Sequence, residues 1–251
     1  MNYPQQMKSI LGKVSSFFLD TIFPIKCIGC GLFPANNKKE YLCKSCLATI
    51  PVKKTFECIG CSRSSRLGKT CLDCQEYRNI DHLLAVSDYS NPIVKKAIKI
   101  LKYRFVGDMA GSFRPLIRKY IYTVAKRGLS LTECTPVVIP IPLHPRRLNW
   151  RGFNHAEILA NLVSESILTE TATNILVRSS YTKPQADIEN RKERIENIGN
   201  IFGIDDPAVV KNRTIVLVDD ICTTGTTLNQ AAKALKANGA LKVICLVIAR
   251  S

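Results

Sequence analysis

Residues 215–227 read IVLVDDICTTGTT, and this stretch restricts the fold more than any other part of the chain. Residues 215–218 are a short aliphatic run of the kind buried in a parallel sheet. Asp219 and Asp220 follow where that strand is expected to end. A loop of small hydroxylated residues comes next, with Thr223, Thr224, Thr226 and Thr227 around Gly225. Residues 228–237 suit a helix, and Asn238-Gly239 suits its stop. In open α/β sheets, ligands bind beyond the carboxyl ends of the strands. A glycine turn opening a helix presents backbone N–H groups and the positive end of a dipole, which together suit a phosphate. Paired carboxylates accept hydrogen bonds from a diol. A pentose phosphate fits this chemistry, with its diol on Asp219 and Asp220 and its phosphate on residues 223–227.

The chain has eleven cysteines, eight of them in C-x-x-C pairs: Cys27/Cys30, Cys43/Cys46, Cys58/Cys61 and Cys71/Cys74. Cys134, Cys222 and Cys245 stand alone. Each pair aims two sulfurs at one point, and two pairs supply a tetrahedral zinc site. Sequential pairing gives two zinc ribbons in tandem, and interleaved pairing uses the same eight residues; spacing leaves both open. With every ligand position filled by thiolate, the expected role is structural rather than catalytic. A disulfide framework is disfavoured because no leader-like segment with a cleavage site is evident.

Formal charge is +16; eight thiolates with two zinc ions would bring it to about +12. The remaining excess favours anionic partners, either phosphorylated ligands or nucleic acid. No apolar run approaches the ~20 residues of a membrane span. Residues 10–23 place Ile10, Leu11, Val14, Phe17, Phe18 and Ile22 near one helical face. That pattern reads as a packed amphipathic helix, with a membrane-surface contact as the alternative. The expected location is cytoplasmic, with a peripheral place at the inner face of the membrane as its variant.

Beyond Cys74 the composition changes, dividing the chain into 1–80, with the N-terminal helix and double ribbon, and 81–251. Strands are expected at 83–86, 137–141, 175–178 and 242–249, and helices at 93–101 and 153–167, the latter capped by Asn154. Alternation of this kind implies a mainly parallel sheet flanked by helices. Helix 93–101 turns Ile93, Val94, Ala97, Ile98 and Leu101 inward and Lys95, Lys96, Lys99 and Lys102 outward. The outward lysines read as a solvated face, with phosphate or DNA contact as the minority reading.

A second constellation follows the 137–141 strand: PIPLHPRRLNWRGFNHAEILA, residues 140–160. His144, Arg146, Arg147 and Arg151 supply donors, and arginine forks match phosphate oxygens. A third stretch, residues 181–202, carries Lys183, Gln185, Arg191 and Arg194 in a long polar segment between short strands.

The 215–227 stretch resembles the signature of type I phosphoribosyltransferases. With the double cysteine array, P-I-P-L-H-P-R-R-L…R-G-F-N and K-P-Q…R…E-R, it is identified as a ComF family sequence, the likeness running from about Phe17 to the end. The resemblance implies a type I phosphoribosyltransferase-like α/β domain behind a small N-terminal double zinc ribbon with four cysteines to each site, and a link to DNA uptake in natural transformation. By position it makes Asp219 and Asp220 catalytic and ribose-binding, and puts the 5-phosphate on Thr223, Thr224, Gly225, Thr226 and Thr227. It gives the diphosphate with Mg²⁺ to Leu143, His144, Arg146 and Arg147, and makes Lys183, Gln185, Arg191 and Arg194 a closing loop. Three departures stand out. Thr226 replaces a usual glycine or alanine, and His155 a frequent glutamine. Thr223 stands where hypoxanthine–guanine enzymes carry aspartate, so purine salvage is not supported. Two functions follow as expectations: a Mg²⁺-dependent phosphoribosyltransferase acting on phosphoribosyl pyrophosphate, or a non-catalytic competence factor in which that site is a regulatory pocket. In the second, ribbons and basic surface engage single-stranded DNA or uptake-machinery proteins. The acceptor would be read by a variable hood built from residues 81–125.

Overall fold

A computed structural model describes residues 25–33, 41–103, 108–132, 136–178 and 201–251. Residues 10–23, Cys134 and the expected closing loop with Lys183, Gln185, Arg191 and Arg194 lie outside them. The chain divides into two compact units, Met1–Thr49 and Ile50–Ser251. The compositional boundary near residue 80 therefore does not coincide with the division between units. Cys58, Cys61, Cys71 and Cys74 lie in the same unit as the α/β sheet.

In the first unit a short helix α1, Lys44–Thr49, follows the second cysteine pair. In the second unit α2, Leu72–Gln75, opens at the fourth pair. The sheet contains β1 (His82–Asp88), β2 (Val137–Pro140), β5 (Thr214–Cys222) and β6 (Lys242–Arg250), in the order β1-β6-β5-β2 with every pairing parallel. β3 (Leu176–Arg178) and β4 (Phe202–Ile204) form a separate antiparallel ribbon. The helices are α3 (Pro92–Tyr103), α4 (Asp108–Gly111), α5 (Arg114–Lys126), α6 (Pro145–Arg151), α7 (His155–Ile167) and α8 (Thr226–Ala237).

The central strands are buried on both faces, which is why they read as unbroken aliphatic runs: Val216, Leu217, Val218, Leu246 and Val247 are fully enclosed. Asn154 caps α7 as expected, its side chain accepting from Ala156 N–H at 3.1 Å. Two differences bear on the site. β5 does not stop at Val218 but runs through both aspartates to Cys222, because β6 continues to pair with it as far as Arg250. Pairing with β2 ends at Val218, so the acids emerge where the sheet loses one neighbour. The expected arginine loop is partly helical: Pro145 occupies the first turn of α6 and His144 caps it, Nδ1 accepting from Arg146 N–H at 3.2 Å.

The second cysteine segment is bound to the sheet through β1. Thr70 N–H donates to Asp81 C=O at 2.9 Å. At Gly68 (φ +71°) a β-carbon would lie 2.0 Å from the Leu83 carbonyl oxygen. Gly68→Ala is expected to lower unfolding stability by more than ~2 kcal/mol, combining left-handed strain with a backbone clash. Gly111→Ala, with open space around it, should stay within ~1 kcal/mol of wild type. Urea unfolding of the two variants checks the contrast.

Candidate functional site

β2 and β5 lie side by side and parallel, so their carboxyl ends open on one edge, where Ile141 N–H donates to Val218 C=O at 2.9 Å. Beyond that edge lies a cavity of about 440 Å³. From β5 and its loop come Asp219, Asp220, Thr223 and Thr227; from the β2 side come Leu143, Arg147, Trp150, Arg151 and His155; Lys102 of α3 and Arg178 of β3 close it. Of the residues expected to bind diphosphate, Leu143 and Arg147 line the cavity, whereas His144 and Arg146 are not on its wall. Thr224, Gly225 and Thr226 form the turn between Thr223 and Thr227. Thr224 and Thr226 hydroxyls are 2.9 Å apart, and Gly225 takes φ +72° as the residue before α8.

Asp220 is 2% exposed and is held by two groups on one oxygen: Lys102 Nζ at 2.9 Å and His155 Nε2 at 3.3 Å from Oδ2. Arg151 Nη1 lies 3.3 Å from His155 Nδ1. Guanidinium has only donors, so Nδ1 accepts and the ring proton sits on Nε2, facing Asp220. Burial alone pushes the Asp220 carboxyl up, but His155 and Lys102 outweigh it and hold it below the usual carboxylate range. Asp219 behaves oppositely. Burial and the negative charge of Asp220 push it up to about 8, against hydrogen bonding from Asp220 N–H at 2.8 Å and the charge of Lys102. The pair is thus split into one acid that stays charged and one that is largely protonated near neutrality.

The helical pattern alone puts Lys102 on the solvated face of α3, and here the structure differs. Lys95, Lys96 and Lys99 are exposed as expected, while Lys102 turns into the cavity. Its position four residues after the fully buried Ile98 is the signal available in the sequence. Arg178 has no local signal, since β3 pairs only with β4, across a long segment. Burial and the neighbouring charge of Arg147 lower its guanidinium from the ordinary value.

The cysteines fall into two sequential groups, Cys27/Cys30/Cys43/Cys46 and Cys58/Cys61/Cys71/Cys74, each with its ligand atoms within 4.8 Å of one another. Sulfurs ~2.3 Å from a tetrahedral zinc would lie ~3.8 Å apart. The separations are 3.9 Å for Cys30–Cys43, 3.7 Å for Cys58–Cys71 and 3.8 Å for Cys61–Cys71. Backbone N–H groups of Gly60 and Cys71 each point at Cys58 Sγ at 3.4 Å. Arg63 beside Cys61 pulls that thiol down to about 6. The neighbouring thiol of Cys43 pushes Cys46 up to about 12. Both groups are compatible with zinc.

Residues 150–251 match the phosphoribosyl transferase domain family. The chain is 27% identical to competence protein F of Haemophilus influenzae over 236 residues, covering 86% of this chain and 99% of that one. It is 28% identical to the DNA utilization protein YhgH of Escherichia coli K12, covering 82% and 96%. Competence protein ComFC of Bacillus subtilis is 27% identical, with 80% of each chain covered. The chain is thus similar along most of its length to proteins named for competence and DNA utilization. Among the described residues no helix is long and apolar enough to cross a membrane.

Two measurements check this site. Metal analysis of the full chain should return about two zinc ions, with about one left in Cys58→Ser. Unfolded carboxyls titrate near ~4, so between that value and about 8 native Asp219 keeps a proton the unfolded chain has lost. Stability from this group is therefore complete below ~pH 4 and falls as pH rises toward 8. Asp219→Asn should flatten that part of the pH–stability curve, read by thermal melts at fixed ionic strength.

Proposed function

We propose that this cavity binds 5-phosphoribosyl 1-diphosphate and transfers its phosphoribosyl group to a nitrogen nucleophile, as the likeness to ComF-type proteins suggests. The observation carrying the reading is convergence: two carboxylates with split protonation, a threonine–glycine turn at a helix start and four cationic side chains share one cavity. The cations, Lys102, Arg147, Arg151 and Arg178, outnumber the two acids, which suits a ligand bearing several negative charges. The phosphoribosyl transferase domain match over residues 150–251 supports it independently.

In this reading residues 223–227 take the 5-phosphate, using backbone N–H groups at the start of α8 and threonine hydroxyls. Asp219 and Asp220 receive the ribose diol, and Arg147 with Pro142 and Leu143 faces the diphosphate. The bond from the anomeric carbon to the diphosphate oxygen breaks and a carbon–nitrogen bond forms. Diphosphate leaves with the electron pair, and the proton of the nucleophile passes to the departing diphosphate. Positive charge grows on the ring during that exchange, and the Asp220 carboxylate, kept ionised by Lys102 and His155, lies on the side that stabilises it. Among the acids, Asp219 would hold a magnesium ion by giving up its proton, since that ion favours carboxylate and phosphate oxygens. When bound, that ion neutralises the leaving diphosphate. His155 is a poor ligand for it, being engaged between Arg151 and Asp220.

Calorimetry with 5-phosphoribosyl 1-diphosphate and Mg²⁺ should give saturable binding that falls at least ~tenfold in Asp220→Asn, where an ionised, hydrogen-bonded partner is lost. Wild-type affinity in that variant would count against the site. With a competent nitrogen acceptor, diphosphate release should follow binding and vanish in the same variant.

A second reading has its own support. Exposed Lys95, Lys96 and Lys99 along α3, with the basic charge of the chain and relatives named for competence and DNA utilization, suit single-stranded DNA. On that reading the cavity ligand regulates rather than reacts. Replacing the three lysines by glutamine should then weaken DNA retention and reduce its salt dependence while leaving calorimetric ligand binding unchanged.

A further inference from the structure

The turn proposed to hold the 5-phosphate is backed by the second cysteine group. Gly225 stands at φ +72°, and a β-carbon there would lie 2.7 Å from Cδ1 and 2.9 Å from Cγ1 of Ile59. Ile59 is 3% exposed and belongs to the same buried cluster as Cys222 and Leu228, which flank the turn. Along the chain it lies between Cys58 and Gly60, inside the Cys58–Cys61 knuckle. Gly60 is equally confined, because a β-carbon there would meet Cys74 Sγ at 2.5 Å. The knuckle is closed by Cys58 N–H donating to Arg63 C=O at 2.9 Å and Ser62 N–H to Cys58 C=O at 3.0 Å.

Two further ties join the cysteine segment to this end of the sheet. Asn79 N–H donates to Asn229 Oδ1 at 2.7 Å, in the first turn of α8, and Asn229 Nδ2 donates to Tyr77 C=O at 3.3 Å. Arg250, pairing with Cys222 at the end of β6, donates to Ser62 Oγ at 2.9 Å. The turn therefore has the cavity on one side and a sulfur-bound knuckle on the other. A tetrahedral metal at Cys58, Cys61, Cys71 and Cys74 would fix the backbone on both sides of Ile59, and the sulfur separations there match such an ion.

We propose that Ile59 is a positioning residue for the phosphate turn: the metal-closed 58–61 knuckle seats Ile59 against Gly225, and this contact holds residues 223–227 in their phosphate-receiving shape. Metal at the second cysteine group thereby sets affinity for the 5-phosphate end of the ligand, whereas the diphosphate end, held from the β2 side, is independent of it. This rests on the reading of residues 223–227 as a phosphate site.

The test uses the full chain loaded with zinc, with two probes measured by calorimetry: ribose 5-phosphate, and inorganic diphosphate with Mg²⁺. Ile59→Ala should retain wild-type zinc content, lose ~tenfold in ribose 5-phosphate affinity, a coupling of ordinary allosteric size, and keep diphosphate affinity within about twofold. Ile59→Val, which retains most of the side chain, should fall between and guards against misfolding of the alanine variant. Cys71→Ser should reproduce the selective loss with less zinc bound. Equal weakening of both probes, or unchanged ribose 5-phosphate affinity in Ile59→Ala, overturns the positioning role. If wild type binds diphosphate but not ribose 5-phosphate, the phosphate-site reading itself fails, and the inference with it.

Discussion

A carboxylate as enclosed as Asp220 is tolerated in a folded chain only when its charge is compensated, because desolvation otherwise costs several kcal/mol. Here the positive charge comes from Lys102 near the end of α3, and the His155 ring N–H at the start of α7 faces the same oxygen, Oδ2. Arg151 then fixes the histidine tautomer. This one junction joins the last turn of α3, the turn between α6 and α7, and the end of β5. It also determines the state of its neighbour: with Asp220 kept ionised, burial beside a negative charge leaves Asp219 holding its proton up to about 8. The chemistry available to the cavity follows from that split.

The second dependence runs behind the threonine turn. Gly225 occupies a left-handed position that glycine adopts without strain, and the space a side chain would need is already taken by Ile59. The cysteine group at 58–74 consequently packs behind the turn, on the side away from the cavity, as well as resembling a zinc ribbon. Division of the chain after Thr49 agrees with this, since it leaves that group in the unit that contains the sheet.

Much of this is legible in the sequence because it is local. An aliphatic run, two acids and a Thr-Gly turn are contiguous, and C-x-x-C spacing brings sulfurs together two at a time, so β5, the turn before α8 and the eight paired cysteines can be read directly, while which pairs share a site comes only from the structure. Asn154 is legible as a cap for the same reason. What escapes depends on contacts distant in sequence. Lys102 carries the same charge as Lys95 and Lys99, and only the direction of its side chain at the end of α3 distinguishes it. Arg178 reaches the cavity because β3 pairs with β4 instead of joining the main sheet. The short helix α6 is hidden by its proline: Pro145 suggests a restricted loop, although proline also suits a first helical turn. The extension of β5 through the acids comes from β6, whose pairing outlasts that of β2.

The central claim is that one cavity holds both ends of a phosphoribosyl diphosphate, and phosphorus-31 NMR tests it most directly. Titrating the protein into 5-phosphoribosyl 1-diphosphate with Mg²⁺ should shift or broaden all three phosphorus signals together. Thr224→Ala combined with Thr226→Ala should then weaken the effect on the 5-phosphate signal first. Perturbation confined to the diphosphate signals, with the 5-phosphate unaffected at saturation, would contradict the account.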